Sequence, residues 1–344
     1  MNILIDINHP GQVHLFRPFA EEVLKEGGRV LITARDKDVT RQLLEAGDIP
    51  FVICSSRKGG LFLLFVELFS KTYAIIRHGR KFKPDAIISL GSPPAAWASL
   101  ILNIPHIALE DTEHSTEQAL LYLPFTKYVL TSTAFSRNLG KKQLRYKGYH
   151  ELAYLHPDRF EPSREVVSNL GISPNKVYSV VRFVSWQASH DIDQHGISDD
   201  DKLTLIETLT SYGDVVLTSE APIPADLLEK CIVVPPETIH HVLAFAHLYI
   251  GEGATMASEA VMLGVPAIYT NTLSAGTLEE QARCGLLHLE LDFTHILPLV
   301  TELLTVKDTR SKYQNLRAGM LKETDDITNV IMNTVKKAID AKKT

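Results

Sequence analysis

The sequence predicts two doubly wound α/β domains facing one another across a cleft. Three observations carry this. Short apolar runs alternate with helix-like segments along almost the whole chain. The runs are continuously apolar rather than alternating, as in parallel strands covered on both faces. A proline-bearing stretch, GYHELAYLHPDRFEPS (148–163), separates two such series. At 344 residues the chain has length for two domains of ordinary size. They are expected at 1–157 and 158–324, with a last segment, 325–344, able to pack on either.

In the first half, strands are expected at NILIDI (2–7), RVLITA (29–34), FVIC (51–54), DAIISL (85–90), HIALE (106–110) and YVLTS (128–132). Helical patterns lie between them at 15–27, 38–47, 61–82 and 94–103. The second half repeats the habit with VYSVVRF (177–183), DVVLTS (214–219), CIVVP (231–235), LYIGE (248–252) and AIYTN (267–271). A final helix, roughly 325–341, carries Ile327, Val330, Ile331, Val335 and Ile339 at helical spacing.

Composition narrows the functional classes. Hydrophobic residues make up 45% and charged residues 22%, as in a soluble globular protein. A net charge of -6 argues against a nucleic-acid partner. Three scattered cysteines with no CxxC pair point to a reducing compartment and away from zinc or a disulfide framework. The start, MNILIDINHPG, lacks a basic region followed by an apolar core, so a cytoplasmic location is expected. The stretch LFLLFVELFSKTYAII (61–76) contains Glu67 and Lys71 and is too short and polar to span a bilayer. Followed by Arg77, His78, Arg80, Lys81 and Lys83, segment 61–83 has an apolar face with a basic edge. That suits peripheral contact with the inner face of a membrane, or a helix packed on its sheet with a solvated basic end.

The densest chemical signal is YIGEGATMASEAVMLGVPAIYTN (249–271). A strand runs into Gly251 and Gly253, Thr255 opens a helix to about Leu263, and Gly264-Val265-Pro266 stops it. Free backbone N–H groups and a positive helix end then lie at a strand's carboxyl edge, a ready site for phosphate. Glu259, about one turn into the helix, is placed to accept hydrogen bonds from the two hydroxyls of a ribose. A plain strand–turn–helix with a solvated Glu259 explains the same pattern, and short glycine motifs recur by chance.

A second strand–loop–helix follows Ile7. Its loop holds His9, Gly11 and His14, and Arg17 lies in the first turn of a helix whose face is Leu15, Phe16, Phe19 and Val23. A histidine here suits a general base, or a capping or buried role. In HIALEDTEHS (106–115), Glu110, Asp111, Glu113 and His114 crowd a strand end. A helix N-cap and acidic first turn account for Asp111 and Glu113 but not for Glu110 and His114, which stay as acid–base candidates. GSPPAAW (91–97) offers a small turn in which Ser92 is able to face ligand. In RFVSWQASHDIDQHG (182–196), Arg182 and His190 suit a diphosphate, and Trp186 suits stacking or core packing. His190, Asp191, Asp193 and His195 have loop spacing, so no metal site is expected.

GEGATMASEAVMLGVPAIY resembles the nucleotide-diphosphate motif of GT-B glycosyltransferases and of the UDP-N-acetylglucosamine 2-epimerases that share their fold. The chain as a whole most resembles a little-characterised bacterial and archaeal GT-B-like family, whose motifs stand here as HPGQVHLFRPF, LEDTEHS, GYHELAYLHP and RFVSWQASHD. The resemblance implies two Rossmann-like domains, the C-terminal one binding donor and the N-terminal one acceptor. It places Gly253, Ala254 and Thr255 at the diphosphate and Glu259 at the ribose. GT-B transferases often carry a His followed closely by a Pro in the first loop, and His14 with Pro18 looks similar. The epimerases have a Glu at a position like Glu110 and another resembling Glu117, but an acid where Ser92 stands. That departure counts against epimerase activity.

The expectation is a glycosyltransferase moving a sugar from a nucleotide-sugar donor, a UDP-sugar, to a glycan or lipid-linked acceptor, with neither metal nor other cofactor. His14 or Glu110, with His114 beside them, would serve as base. Two rivals remain open: a nucleotide-sugar epimerase, and a nucleotide-binding protein without turnover.

Overall fold

The computed structural model describes residues 1–37, 39–47, 49–56, 61–184, 197–219 and 224–343. It divides into two compact units, Met1–Tyr154 with Thr324–Thr344, and Leu155–Glu323.

The first unit is built on seven parallel strands: β1 (Asn2–Ile7), β2 (Arg29–Asp36), β3 (Phe51–Ser56), β4 (Ala86–Leu90), β5 (His106–Leu109), β6 (Tyr128–Ser132) and β7 (Gln143–Tyr146). They lie in the order β3-β2-β1-β4-β5-β6-β7. The helices between them are α1 (Pro10–Lys25), α2 (Thr40–Glu45), α3 (Leu61–Phe82), α4 (Pro93–Leu102) and α5 (Thr116–Tyr122), with the short α6 (Leu152–Leu155) after β7. The central strands are apolar because both faces are covered: Ile3, Leu4, Ile5 and Ile7 of β1 are wholly buried. The order reverses between β1 and β4, which makes their carboxyl ends the natural place for a ligand.

Two local expectations need correcting here, and one open point is decided. The first helix begins at Pro10, not Leu15. Pro10 is pre-set for a first helical turn. The ring of His9 accepts from the Gly11 N–H at 3.3 Å, and Gln12 Oε1 accepts from the Asn8 N–H at 2.7 Å, closing a reciprocal cap. His14 therefore lies within the helix. Strand β7 (QLRY) was not expected, since an edge strand needs no apolar run. The final helix, α15 (Ile327–Lys343), belongs to the first unit, where it packs on α1 and over β4, β5 and β6. Lys147 and Asp325 exchange two hydrogen bonds, of 2.7 and 2.9 Å, at its entry.

The second unit holds α7 (Arg164–Asn169), β8 (Tyr178–Phe183), α8 (Asp199–Thr210), β9 (Asp214–Ser219), α9 (Ala225–Leu228), α10 (Ile239–Phe245), β10 (Leu248–Gly251), α11 (Ala254–Met262), β11 (Ala267–Tyr269), α12 (Gly276–Arg283), β12 (Leu287–Leu289), α13 (Phe293–Thr305) and α14 (Thr309–Leu321). Its parallel sheet runs β12-β11-β10-β8-β9 and reverses between β8 and β10. Val181, Leu205, Leu217, Ile250 and Ile296 centre its core. CIVVP is not a strand. Ile232 makes one isolated bridge to Val216, and the prolines at 235 and 236 supply no backbone N–H to extend it.

Candidate functional site

Each unit gathers polar residues at the carboxyl edge of its sheet. In the second unit, β10 ends at Gly251 and α11 begins at Ala254, with Gly253 at the N-cap and no side chain capping it. The first N–H groups of α11, including those of Ala254 and Thr255, thus carry no intrahelical bond. Arg182, at the end of β8, pairs in register with Gly251. Its side chain lies so close that a Cβ on Gly253 would come within 3.3 Å of Arg182 Cγ. Glycine here is what lets the arginine lie along the turn.

Glu259 is buried rather than solvated, and its Oε1 lies 3.0 Å from Nε2 of His240, a buried residue of α10. Neither His240 nor Glu252 figured among the sequence candidates. Glu252, 1% exposed, accepts the Val184 N–H at 2.9 Å through Oε2 and the Ile197 N–H at 3.0 Å through Oε1. One buried carboxylate thus ties down both flanks of the segment after β8. Glu252→Ala leaves those two donors without this acceptor and is expected to lower stability by about 1–3 kcal/mol. Amide exchange at Val184 and Ile197 should accelerate with it; unchanged exchange would mean that other acceptors hold these groups. Trp186 and His190 lie outside the described residues.

The first unit's cluster spans the ends of β1, β4 and β5. Asp6 is wholly buried in the middle of the sheet. Its Oδ1 takes the Lys71 ammonium at 2.9 Å and the Thr33 hydroxyl at 2.9 Å. Its Oδ2 takes the Ser92 hydroxyl at 2.6 Å and Asn8 Nδ2 at 3.3 Å. Lys71 also donates to Asn8 Oδ1 and to the Ile7 carbonyl, so it fixes the chain where it leaves β1. Ser92, expected in a turn able to face ligand, is 1% exposed, and its hydroxyl is spent on Asp6 and on capping α4. Lys71 is likewise no part of a basic outer edge.

Glu110 is buried under Gly91 and Tyr122. The Tyr122 hydroxyl donates to Oε2, and the N–H groups of Thr112 and Asp111 donate to Oε1 at 2.9 and 3.2 Å. Gly91 has φ +47, and a Cβ there would sit 3.0 Å from Glu110 Oε2, so glycine serves both the turn and the carboxylate. Burial, seconded by the Asp111 charge, pushes the Glu110 carboxyl up to about 7 against the pull of those three donors. Asp111 is not a helix cap. His150 Nδ1 lies 3.5 Å from its Oδ2. Burial pushes this carboxyl up, but His150, the Thr112 hydroxyl and the nearby His9 outweigh it and hold it below the ordinary range. His150 Nε2 is buried with no hydrogen-bond partner among the described residues. Two adjacent carboxyls thus have affinities for protons driven apart, the pattern expected where one group gives and another takes a proton.

The remaining candidates are scattered. His14 stacks on Tyr154 with ring centroids 5.6 Å apart. Arg17 donates to the Leu43 carbonyl at 3.0 Å and so braces α1 against α2. Gly11 is an N-terminal residue of α1, while His114 and Glu117 stand exposed. Among the described residues, no group of three or more His, Cys, Asp or Glu is arranged to hold a metal ion.

The fold is shared with known proteins. The structure of the UDP-GlcNAc 2-epimerase from Neisseria meningitidis bound to UDP-GlcNAc matches with a TM-score of 0.69 at 16% identity, covering 98% of this chain and 100% of that one. The glycosyltransferase SsfS6 of Streptomyces sp. SF2575 matches with a TM-score of 0.61 at 14% identity, covering 96% and 99%. At such identities the likeness shows the fold, a GT-B-type pair of Rossmann-like α/β domains, as the sequence led one to expect. An uncharacterized protein of Methanocaldococcus jannaschii is 24% identical over 281 residues, 78% of this chain and 81% of its own length. A family model described as a protein of unknown function, DUF354, matches residues 1–340, and the chain belongs to that family.

Proposed function

We propose that the chain is a nucleotide-sugar-dependent glycosyltransferase of the GT-B type, using a UDP-linked donor and a glycan or lipid-linked acceptor. The observation that carries this is the second unit's carboxyl edge. An uncapped helix N-terminus, Arg182 against the Gly253 turn, and Glu259 one turn along offer charge for a diphosphate and a carboxylate for a ribose. In this reading the α11 N–H groups and Arg182 stabilise the departing diphosphate, so no metal is required. Glu259, oriented by His240, accepts the ribose hydroxyls. Glu110 takes the acceptor proton, with His14 as the rival base. The known GT-B and epimerase neighbours, one bound to UDP-GlcNAc, support a nucleotide-sugar enzyme.

The epimerase reading is favoured by the buried, proton-holding Glu110. It is weakened by Ser92, which stands where those enzymes have an acid. UDP-N-acetylglucosamine incubated without acceptor separates the two: an epimerase releases epimerised or free sugar, a transferase leaves the donor intact.

Thermal shift with UDP, GDP, CDP, TDP and CMP tests the donor site. A nucleotide at ~100 times its dissociation constant should stabilise the wild type by ~2.7 kcal/mol. Glu259→Ala should abolish the shift while still folding. No shift from any nucleotide would sink the donor site.

A further inference from the structure

The first unit leaves a broad apolar surface uncovered. More than half of the large apolar side chains that stand exposed among the described residues lie on α3, α4, α5 and the turn after α5. Phe69 and Tyr73 of α3 are 64% and 68% exposed, Leu100 of α4 62%, and Leu120 of α5 68%. The surface is continuous. Phe69 and Trp97 rings approach to 5.7 Å, and Trp97 Nε1 donates to the Leu121 carbonyl at 2.9 Å, linking the three helices.

Packing against the sheet does not account for these side chains. Helices α3 and α4 already bury a separate face, with Ile75, Ile76, Ala95 and Ala98 set against Leu4 and Ile87. Phe69 and Tyr73 stand exposed on α3, one turn apart. That outer stripe continues into Arg77, Arg80 and Lys81, all exposed, and Lys83 follows. Helix α4 has no ionisable residue. The carboxylates nearby are Glu67, paired with Arg35 at 2.8 Å, Asp85, which takes the Asn2 N–H, and the exposed Glu117. The outer stripe of α3 is therefore basic in a chain whose net charge is -6.

We propose that the α3–α4–α5 face docks on the surface of a lipid bilayer with anionic headgroups. The aromatic and aliphatic side chains would enter the boundary between headgroups and acyl chains, and the cations at the far end of α3 would meet the lipid phosphates. No helix among the described residues is long and apolar enough to cross a membrane, so the contact proposed is with the surface. The inference rests on this surface alone and does not need the transferase reading. It also gives a lipid-linked acceptor a place from which to approach.

The test uses the full chain without nucleotide. It should cosediment with mixed phosphatidylcholine–phosphatidylglycerol vesicles, weakly with phosphatidylcholine alone, and less as salt rises. The pair Phe69→Glu and Tyr73→Glu should weaken binding by about tenfold or more. The pair Arg77→Glu and Arg80→Glu should remove the preference for anionic lipid. Circular dichroism shows whether each variant folds; these positions are exposed, so all should. No binding to anionic vesicles, or binding indifferent to both pairs, overturns the proposal. So does a wild-type dimer in light scattering that Phe69→Glu turns into a monomer, because the face would then be an interface between copies. Vesicle binding and nucleotide shift are separate readouts, so either reading can fail without the other.

Discussion

Lys71→Met should lower the stability of the first unit by about 3–5 kcal/mol, the usual consequence of stranding one member of a buried ion pair. Asp6 and Lys71 are both almost wholly buried, with 2.9 Å between carboxylate and ammonium. Without Lys71, Asp6 keeps the Ser92 and Thr33 hydroxyls and the Asn8 amide, but it loses its only countercharge among these partners. The measurement is urea unfolding followed by Trp97 fluorescence in a Trp186→Phe background, so that the signal reports the first unit. Adding Asp6→Asn to Lys71→Met removes both charges and should recover part of the loss. A single variant within ~1 kcal/mol of wild type would mean that the three neutral donors suffice for the carboxylate. The pair also bears on the site. Lys71 holds Asn8, and Asn8 precedes His9 and the α1 cap, so release of the pair should disturb the turn that presents His9 beside Asp111.

Glu110→Gln should reduce turnover of the donor by about 10²–10⁴-fold if Glu110 is the proton acceptor. The pH dependence identifies the role. Its carboxyl is raised to about 7, chiefly by burial, so as a base it becomes active as pH rises through about 7. The wild-type rate should climb through that range and level off, and the Gln variant should stay low and flat. A rate that falls through about 7 would make Glu110 an acid instead. Stability supplies a readout without substrate. Below its ordinary range of about 4.5 the carboxyl is protonated in both folded and unfolded chains. Between about 4.5 and about 7 only the unfolded chain loses the proton, so the folded state binds more protons and stability falls as pH rises. The loss is on the order of 3 kcal/mol. Subtracting the Gln variant's profile isolates it, and identical profiles for the two proteins would show that Glu110 ionises in its ordinary range.

The two units differ in how much of their chemistry the sequence disclosed. In the second unit the glycine turn, Arg182 and Glu259 are close in sequence or end adjacent strands, so a local pattern reveals them. His240 could not be found that way, since it lies nineteen residues before Glu259 on another helix. Glu252 was visible beside Gly251, but its task of holding Val184 and Ile197 depends on pairing across strands. In the first unit, Asp6 gave a usable signal: a charge within a continuous apolar strand must find a partner. Lys71 gave the same signal within an apolar helix, yet nothing in the 64 intervening positions connects the two. Ser92 misled because a small residue in a glycine turn looks open to ligand; here its hydroxyl is turned inward to Asp6.

By itself the sequence determined the alternation of parallel strands and helices, because burial on both faces demands continuous apolar runs. It likewise determined the turns at which each sheet's edge becomes polar, because glycine and proline act locally. Only the tertiary structure decided which of those polar residues meet. The Asp6–Lys71 pair, the Asp111–His150 contact and the return of α15 to the first unit join distant positions. Such contacts are set by strand order and crossover, and spacing along the chain does not encode them. The uncovered α3–α4–α5 face belongs to the same class: the three helices are distant in sequence, and the surplus of exposed apolar side chains is seen only when their outer sides lie together.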